Sequence, residues 1–125
     1  MPKYLITFPS GAMDHIPAEE MSDVSKAAHA CCQELINAGV YVVSGGLEDQ
    51  PAILAATDGT VTQGSKPDLV SGVTIVDVPS REEALKWAAK IAAACRCTQE
   101  VRQIGFDPEL DAMLREAAGR RPDSD

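Results

Sequence analysis

The run SDVSKAAHACCQELINAGVYVVSGGLEDQP, residues 22–51, carries several of the side chains able to do chemistry. His29 stands close to Cys31 and Cys32, and a glycine pair is followed by Glu48 and Asp49. Histidine changes charge near neutral pH, so His29 is the natural proton shuttle of this set. A carboxylate from Glu48 or Asp49 would orient the imidazole and raise its basicity if the loop folds back over the helix. The other reading is a half-exposed helix histidine beside solvated loop acids. Glu100 and Arg102, two apart on a strand, share a face. Arg102 could grip a ligand carboxylate through two parallel hydrogen bonds, or pair with Glu100 instead. Arg96 is a third basic candidate. Tyr4 and Tyr41 could donate hydrogen bonds in a pocket, or simply pack. His15 falls in a loop and reads as solvated.

Other chemistries find little support in the spacing. Cys31, Cys32, Cys95 and Cys97 lack the two-residue gap of zinc knuckles and thioredoxin-like motifs. Adjacent helical cysteines point about 100° apart and chelate poorly. The four therefore read as reduced thiols that serve as small apolar side chains. Gly45-Gly46 has neither the spacing nor the basic residue of a phosphate cradle. No HExxH and no Ser-His-Asp ordering occurs. No cofactor and no metal are expected.

The elements that must position these residues follow from pattern. The 125 residues fit one core, and 45% are hydrophobic. No apolar run approaches the roughly 20 residues of a membrane helix. MPKYLITFPSG lacks the apolar stretch of a signal peptide, so a cytoplasmic setting is expected. A net charge of −8, from 11 basic and 19 acidic residues, would repel nucleic acid and anionic membranes.

KYLITF (3–8) alternates as a strand. Pro17 suits a first helical turn, and Met21, Val24, Ala28, Cys31 and Leu35 form one apolar stripe of a helix. Gly39 is placed to end that helix in the left-handed conformation. His29 lies roughly 120° from the stripe's centre, at a boundary. VYVVS (40–44) is the second strand, with Gly45 and Gly46 breaking or bulging its ladder.

Residues 52–64 predict a hairpin with a two-residue turn at Asp58-Gly59, followed by a loop over 65–68. Residues 69–78 predict a β-branched strand. Ser80 and Glu83 form a capping box for a helix over 80–95. That helix has an inner stripe of Ala84, Leu85, Ala88, Ile91, Ala92 and Cys95, and Trp87 faces away from its centre, for packing or a dimer contact. A strand over 98–104 and a helix capped by Asp107-Pro108 complete the order, with GRRPDSD as a frayed tail.

Two βαβ units make an α+β, ferredoxin-like β-α-β-β-α-β fold with an extra hairpin and a C-terminal helix. The division is a ferredoxin-like domain over 1–106 and the added helix and tail over 107–125. Both long helices cover one sheet face, yet the strands carry apolar residues in both directions. A second copy of the chain is the simplest cover for the other face, giving a dimeric α/β barrel. Cover by the C-terminal helix is the competing arrangement.

PKYLITF, the EEM…AAHA…ELINAG helix, GG after the second strand, LVSGVTIVDVPSREEALKWAAKI and EVR, taken in order over about residues 3–104, resemble the YCII-related, or DGPF-domain, family. The resemblance implies a dimeric α/β barrel with a cleft between the sheet and the first helix. It also implies a helix histidine near an acidic residue as the catalytic candidate; the histidine falls on His29, and Glu48 or Asp49 could partly replace the carboxylate missing at Gln63. The family includes members attached to aromatic degradation, while most have no assigned reaction. This chain departs from the pattern where Gln63, Gly64, Ser65 and Lys66 replace the Asp-Gly-Pro-Phe segment; an acid there has become an amide that cannot exchange a proton near neutral pH. The expected function is a homodimeric domain that binds a small organic ligand near the first helix, with Tyr4, Glu48 and Arg102 as ligand contacts. The alternative is a cofactor-free lyase or isomerase in which His29, supported by Asp49, is the acid-base group.

Overall fold

The computed structural model describes residues 2–64 and 70–119. The 65–68 loop, including Ser65 and Lys66 of the altered family segment, lies outside the described residues, as does the tail from residue 120. Among these residues six strands and three α-helices follow in order: β1 (Lys3–Pro9), α1 (Met21–Asn37), β2 (Tyr41–Gly46), β3 (Ile53–Ala55), β4 (Val61–Gln63), β5 (Val70–Asp77), α2 (Arg81–Cys95), β6 (Glu100–Ile104) and α3 (Pro108–Gly119). Four strands form one sheet in the order β2-β5-β1-β6, all neighbours antiparallel, while β3 and β4 pair separately. This is the ferredoxin-like arrangement expected from the two βαβ units.

Register sets the two faces. Tyr4 opposes Val76 and Ile6 opposes Thr74, and these side chains point toward α1 and α2. Tyr4, Ile6 and Val76 pack there with Cys31 and Leu35 of α1 and with Ala84, Ala88 and Ile91 of α2. α1 ends where the glycine was expected to end it, with Gly39 at φ 75°. It begins later than Pro17, because residues Ala18–Glu20 form a short 3-10 turn first. The two helices are joined across their solvent side by Lys90 and Glu34, 2.9 Å apart.

Several local expectations are corrected. Ser80 caps α2 by accepting from the Glu83 backbone N–H at 3.3 Å, but the Glu83 carboxylate stands 3.6 Å from Lys86 Nζ. Leu85 is 50% exposed, on the outer edge of α2, while Trp87 packs against the core with Lys90 over its ring. The hairpin turns through three residues rather than two. Gly59 N–H bonds Ala56 O, Ala56 N–H bonds Thr60 O, and Gly59 takes φ 89°, which is a turn followed by a glycine bulge. Gly45 and Gly46 stay in the ladder opposite Val73 and Gly72, and the irregularity of β2 falls earlier, at Val42.

The second sheet face carries Lys3, Leu5 and Thr7 of β1, Val43 of β2, Val73, Ile75 and Asp77 of β5, and Glu100, Arg102 and Ile104 of β6. Neither helix of the body reaches it. α3 begins as expected, with Asp107 accepting from Leu110 N–H at 3.0 Å. None of its residues is buried, and Phe106, Leu110, Met113 and Leu114 are all exposed. Among the described residues, α3 therefore does not cover the sheet.

Candidate functional site

A cleft of about 490 Å³ opens between the helix face of the sheet and α1, within the range of small-molecule sites. Its floor comes from the sheet. Phe8 lies over Gly72 so closely that a Cβ at residue 72 would stand 2.1 Å from the ring, so glycine there is what lets the ring rest on the sheet. α1 supplies one wall with Val24, Ala28, His29 and Cys32, and the end of α2 contributes Cys95. His29 is exposed at the rim, as its angular offset from the apolar stripe requires.

The polar content of the cleft is small and ordered. The Tyr41 hydroxyl lies 2.9 Å from Ser44 Oγ, which lies 3.5 Å from Cys32 Sγ. Tyr41 and Ser44 are three apart and would point to opposite faces of a regular strand. The extra residue at Val42, where Tyr41 opposes Val76 and Val43 already opposes Ile75, turns both toward α1. Sequence pattern offers Tyr41 as a pocket donor or a packing residue and Cys32 as a small apolar side chain; it gives no signal for Ser44, because a bulge leaves no mark in an apolar run.

Burial favours the neutral form of Cys31, Cys95 and Cys97. Burial pushes Cys95 up to about 11, with the neighbouring Cys97, Cys31 and Cys32 adding to the effect, and burial also raises Cys31 and Cys97. All four are free cysteines. The sign follows from linkage: between pH 9 and about 11 the unfolded chain releases thiol protons that the folded chain keeps, so stability falls as pH rises through that window. Urea unfolding under reducing conditions is expected to give a lower midpoint at pH 10.5 than at pH 8, and Cys95→Ala to flatten that slope. An identical slope in the variant would remove Cys95 as its source.

The residues singled out by sequence are not brought together. Glu48 and Asp49 line a separate depression with Ser10, Gly11 and Asp14. Among the described residues, no acidic side chain and no Lys or Arg lines the cleft that His29 borders. Tyr4 is 4% exposed, packed in the core beneath the helices rather than in the cleft. Arg102 and Glu100 share a face as expected, but it is the open face of the sheet, because they oppose Leu5 and Thr7. No ion pair between these two is found among the described residues. Arg96, in the left-handed conformation that ends α2, instead bonds Glu20 at 2.5 Å. His15 is exposed in its loop. Among the described residues, no group of three or more His, Cys, Asp or Glu is arranged to hold a metal ion, and no helix is long and apolar enough to cross a membrane.

No family model matches the chain, and no curated protein matches it in sequence. Among solved structures it is similar to 5-chloro-2-hydroxyhydroquinone dehydrochlorinase from Burkholderia phenoliruptrix, determined in complex with 2,5-dihydroxybenzoquinone. Identity is 13%, covering 87% of this chain and 98% of that one, with a TM-score of 0.47. The fold assignment rests on the strand order and pairing given above.

Proposed function

We propose that this chain is a YCII-related domain that binds a small organic ligand in the cleft between α1 and the sheet, and works as a homodimer joined through the open sheet faces. The observation that carries the binding reading is the cleft itself: about 490 Å³, walled mainly by apolar side chains, with a few hydrogen-bonding groups at fixed places. The sequence resemblance to the YCII-related family, in which a cleft beside the first helix is expected, supports the same location. Tyr4, Glu48 and Arg102 do not border this cleft, so this reading does not use them as direct contacts.

The lyase or isomerase reading is favoured by one observation. His29 borders the cleft and belongs to the side-chain type that titrates near neutral pH. Without an acidic partner in the cleft wall, its proton would be exchanged with ligand or water rather than relayed to Asp49.

Both readings are tested by one experiment. Amide resonances of the purified protein are followed while a panel of aromatic and aliphatic metabolites is added. Shifts confined to residues of α1 and β2 at the cleft support binding there, and the product spectrum of each mixture reports turnover. His29→Gln is expected to leave the shifts intact. Turnover lost in that variant would establish the enzyme, and shifts clustered on residues 47–54 instead would relocate the site to the other depression.

A further inference from the structure

Of the cleft's hydroxyl and thiol groups, each able to donate one hydrogen and also accept one, three are linked to one another: the Tyr41 phenol, the Ser44 hydroxyl and the Cys32 thiol. They stand in series, 2.9 Å and then 3.5 Å apart, and all are partly buried. Two links consume two of the three hydrogens, and when both links run in the same direction the third hydrogen is left at an end of the chain. Run from Cys32 through Ser44 to Tyr41, the series leaves the phenol hydrogen free to meet a carbonyl. Run the other way, it leaves the phenol oxygen free to accept from a hydroxyl. The switch needs only rotation about C–O and C–S bonds.

The surroundings decide what such a series can recognise. Among the described residues the cleft has no Lys or Arg to neutralise an anion, and the chain's net charge of −8 adds a repelling field. A carboxylate entering an apolar wall without a cation pays a desolvation cost that a neutral hydroxyl or carbonyl escapes. The strand is also distorted to build the series. Only the inserted residue at Val42 brings Tyr41 and Ser44 to one face.

We propose that Tyr41, Ser44 and Cys32 form the polar recognition element of the cleft, and that it selects uncharged, largely apolar ligands bearing one hydroxyl or carbonyl group over carboxylates. The inference rests on the reading of the cleft as a small-molecule site. It places specificity on β2 and on the inner side of α1, independently of any proton transfer at His29.

The test uses three probes of one shape at pH 8: 2-naphthol, 2-naphthoate and naphthalene, titrated against the whole protein with amide shifts as readout. Wild type is expected to bind 2-naphthol about tenfold or more tighter than 2-naphthoate. Tyr41→Phe and Ser44→Ala are each expected to weaken 2-naphthol about tenfold while leaving naphthalene within about twofold. An equal loss for naphthalene would reduce Tyr41 to packing, and 2-naphthoate binding as tightly as 2-naphthol would remove the selectivity; either result overturns the proposal while the cleft remains a binding site. If none of the three probes moves a cleft resonance, the small-molecule reading falls and this inference falls with it.

Discussion

Leu35→Ala is expected to lower the free energy of unfolding by about 2–5 kcal/mol. Leu35 is 0% exposed and sits in the last full turn of α1, packed with Ile6 and Val76 of the sheet in the cluster that also holds Ala88 and Ile91 of α2. Removing its branched end deletes contacts to both layers at once. The neighbours cannot close the gap easily, because β1 and β5 are locked in register and α1 is tied to the next strand through the Val40 N–H to Leu35 O bond of 3.1 Å. Leu35 also borders the cleft, so water entering from that side would hold the loss toward the lower end of the range. Urea unfolding with an unchanged slope and a lowered midpoint is the expected result. A change below about 0.5 kcal/mol, the size usual for surface positions, would mean that α1 turns a different side inward.

That stripe was legible because helix periodicity and burial obey one geometry: Val24, Cys31 and Leu35 are the buried residues of α1, and all three belong to the expected stripe. Gly39 was legible for the same reason, since few residues other than glycine accept φ 75°. Leu85 was misplaced on α2 because alanine-rich helices give a broad, shallow pattern. Ala84, Ala88 and Ile91 face in, and a leucine one step round looks equally apolar in sequence.

The site was less legible than the fold. His29 could be placed at a boundary from angles alone, whereas the positions of Glu48 and Asp49 depend on a loop whose path no periodicity fixes. Arg102 was placed correctly beside Glu100, but which sheet face they occupy depends on the absolute phase of β6 against β1, and alternation gives only relative phase. The Tyr41–Ser44–Cys32 series was hidden by the bulge at Val42, which shifts that phase inside a run whose residues, Tyr41 to Val43, would suit either face.

The open sheet face gives the other large expected effect. Wild-type protein is expected to sediment as a dimer at micromolar concentration, and Ile75→Asp as a monomer, with a dissociation constant raised about a hundredfold or more. Ile75 lies mid-strand on β5, opposite Leu5 on one side and Val43 on the other. Its own neighbours only half bury it, and Val43 remains 49% exposed, so within one subunit an aspartate could keep its hydration at modest cost. Against a second sheet the same carboxylate would be stripped of water with no cation in the apolar centre of the face. The charges at that centre's margin fit a two-fold contact. Glu100 and Arg102 stand side by side on β6, so a symmetry-related copy would offer each an opposite charge. Leu110→Asp on α3 separates this arrangement from cover by the C-terminal helix. α3 stands clear of the sheet, so that variant is expected to remain dimeric, and a wild-type monomer that unfolds when Leu110 is changed would show the helix, and not a second subunit, closing the face.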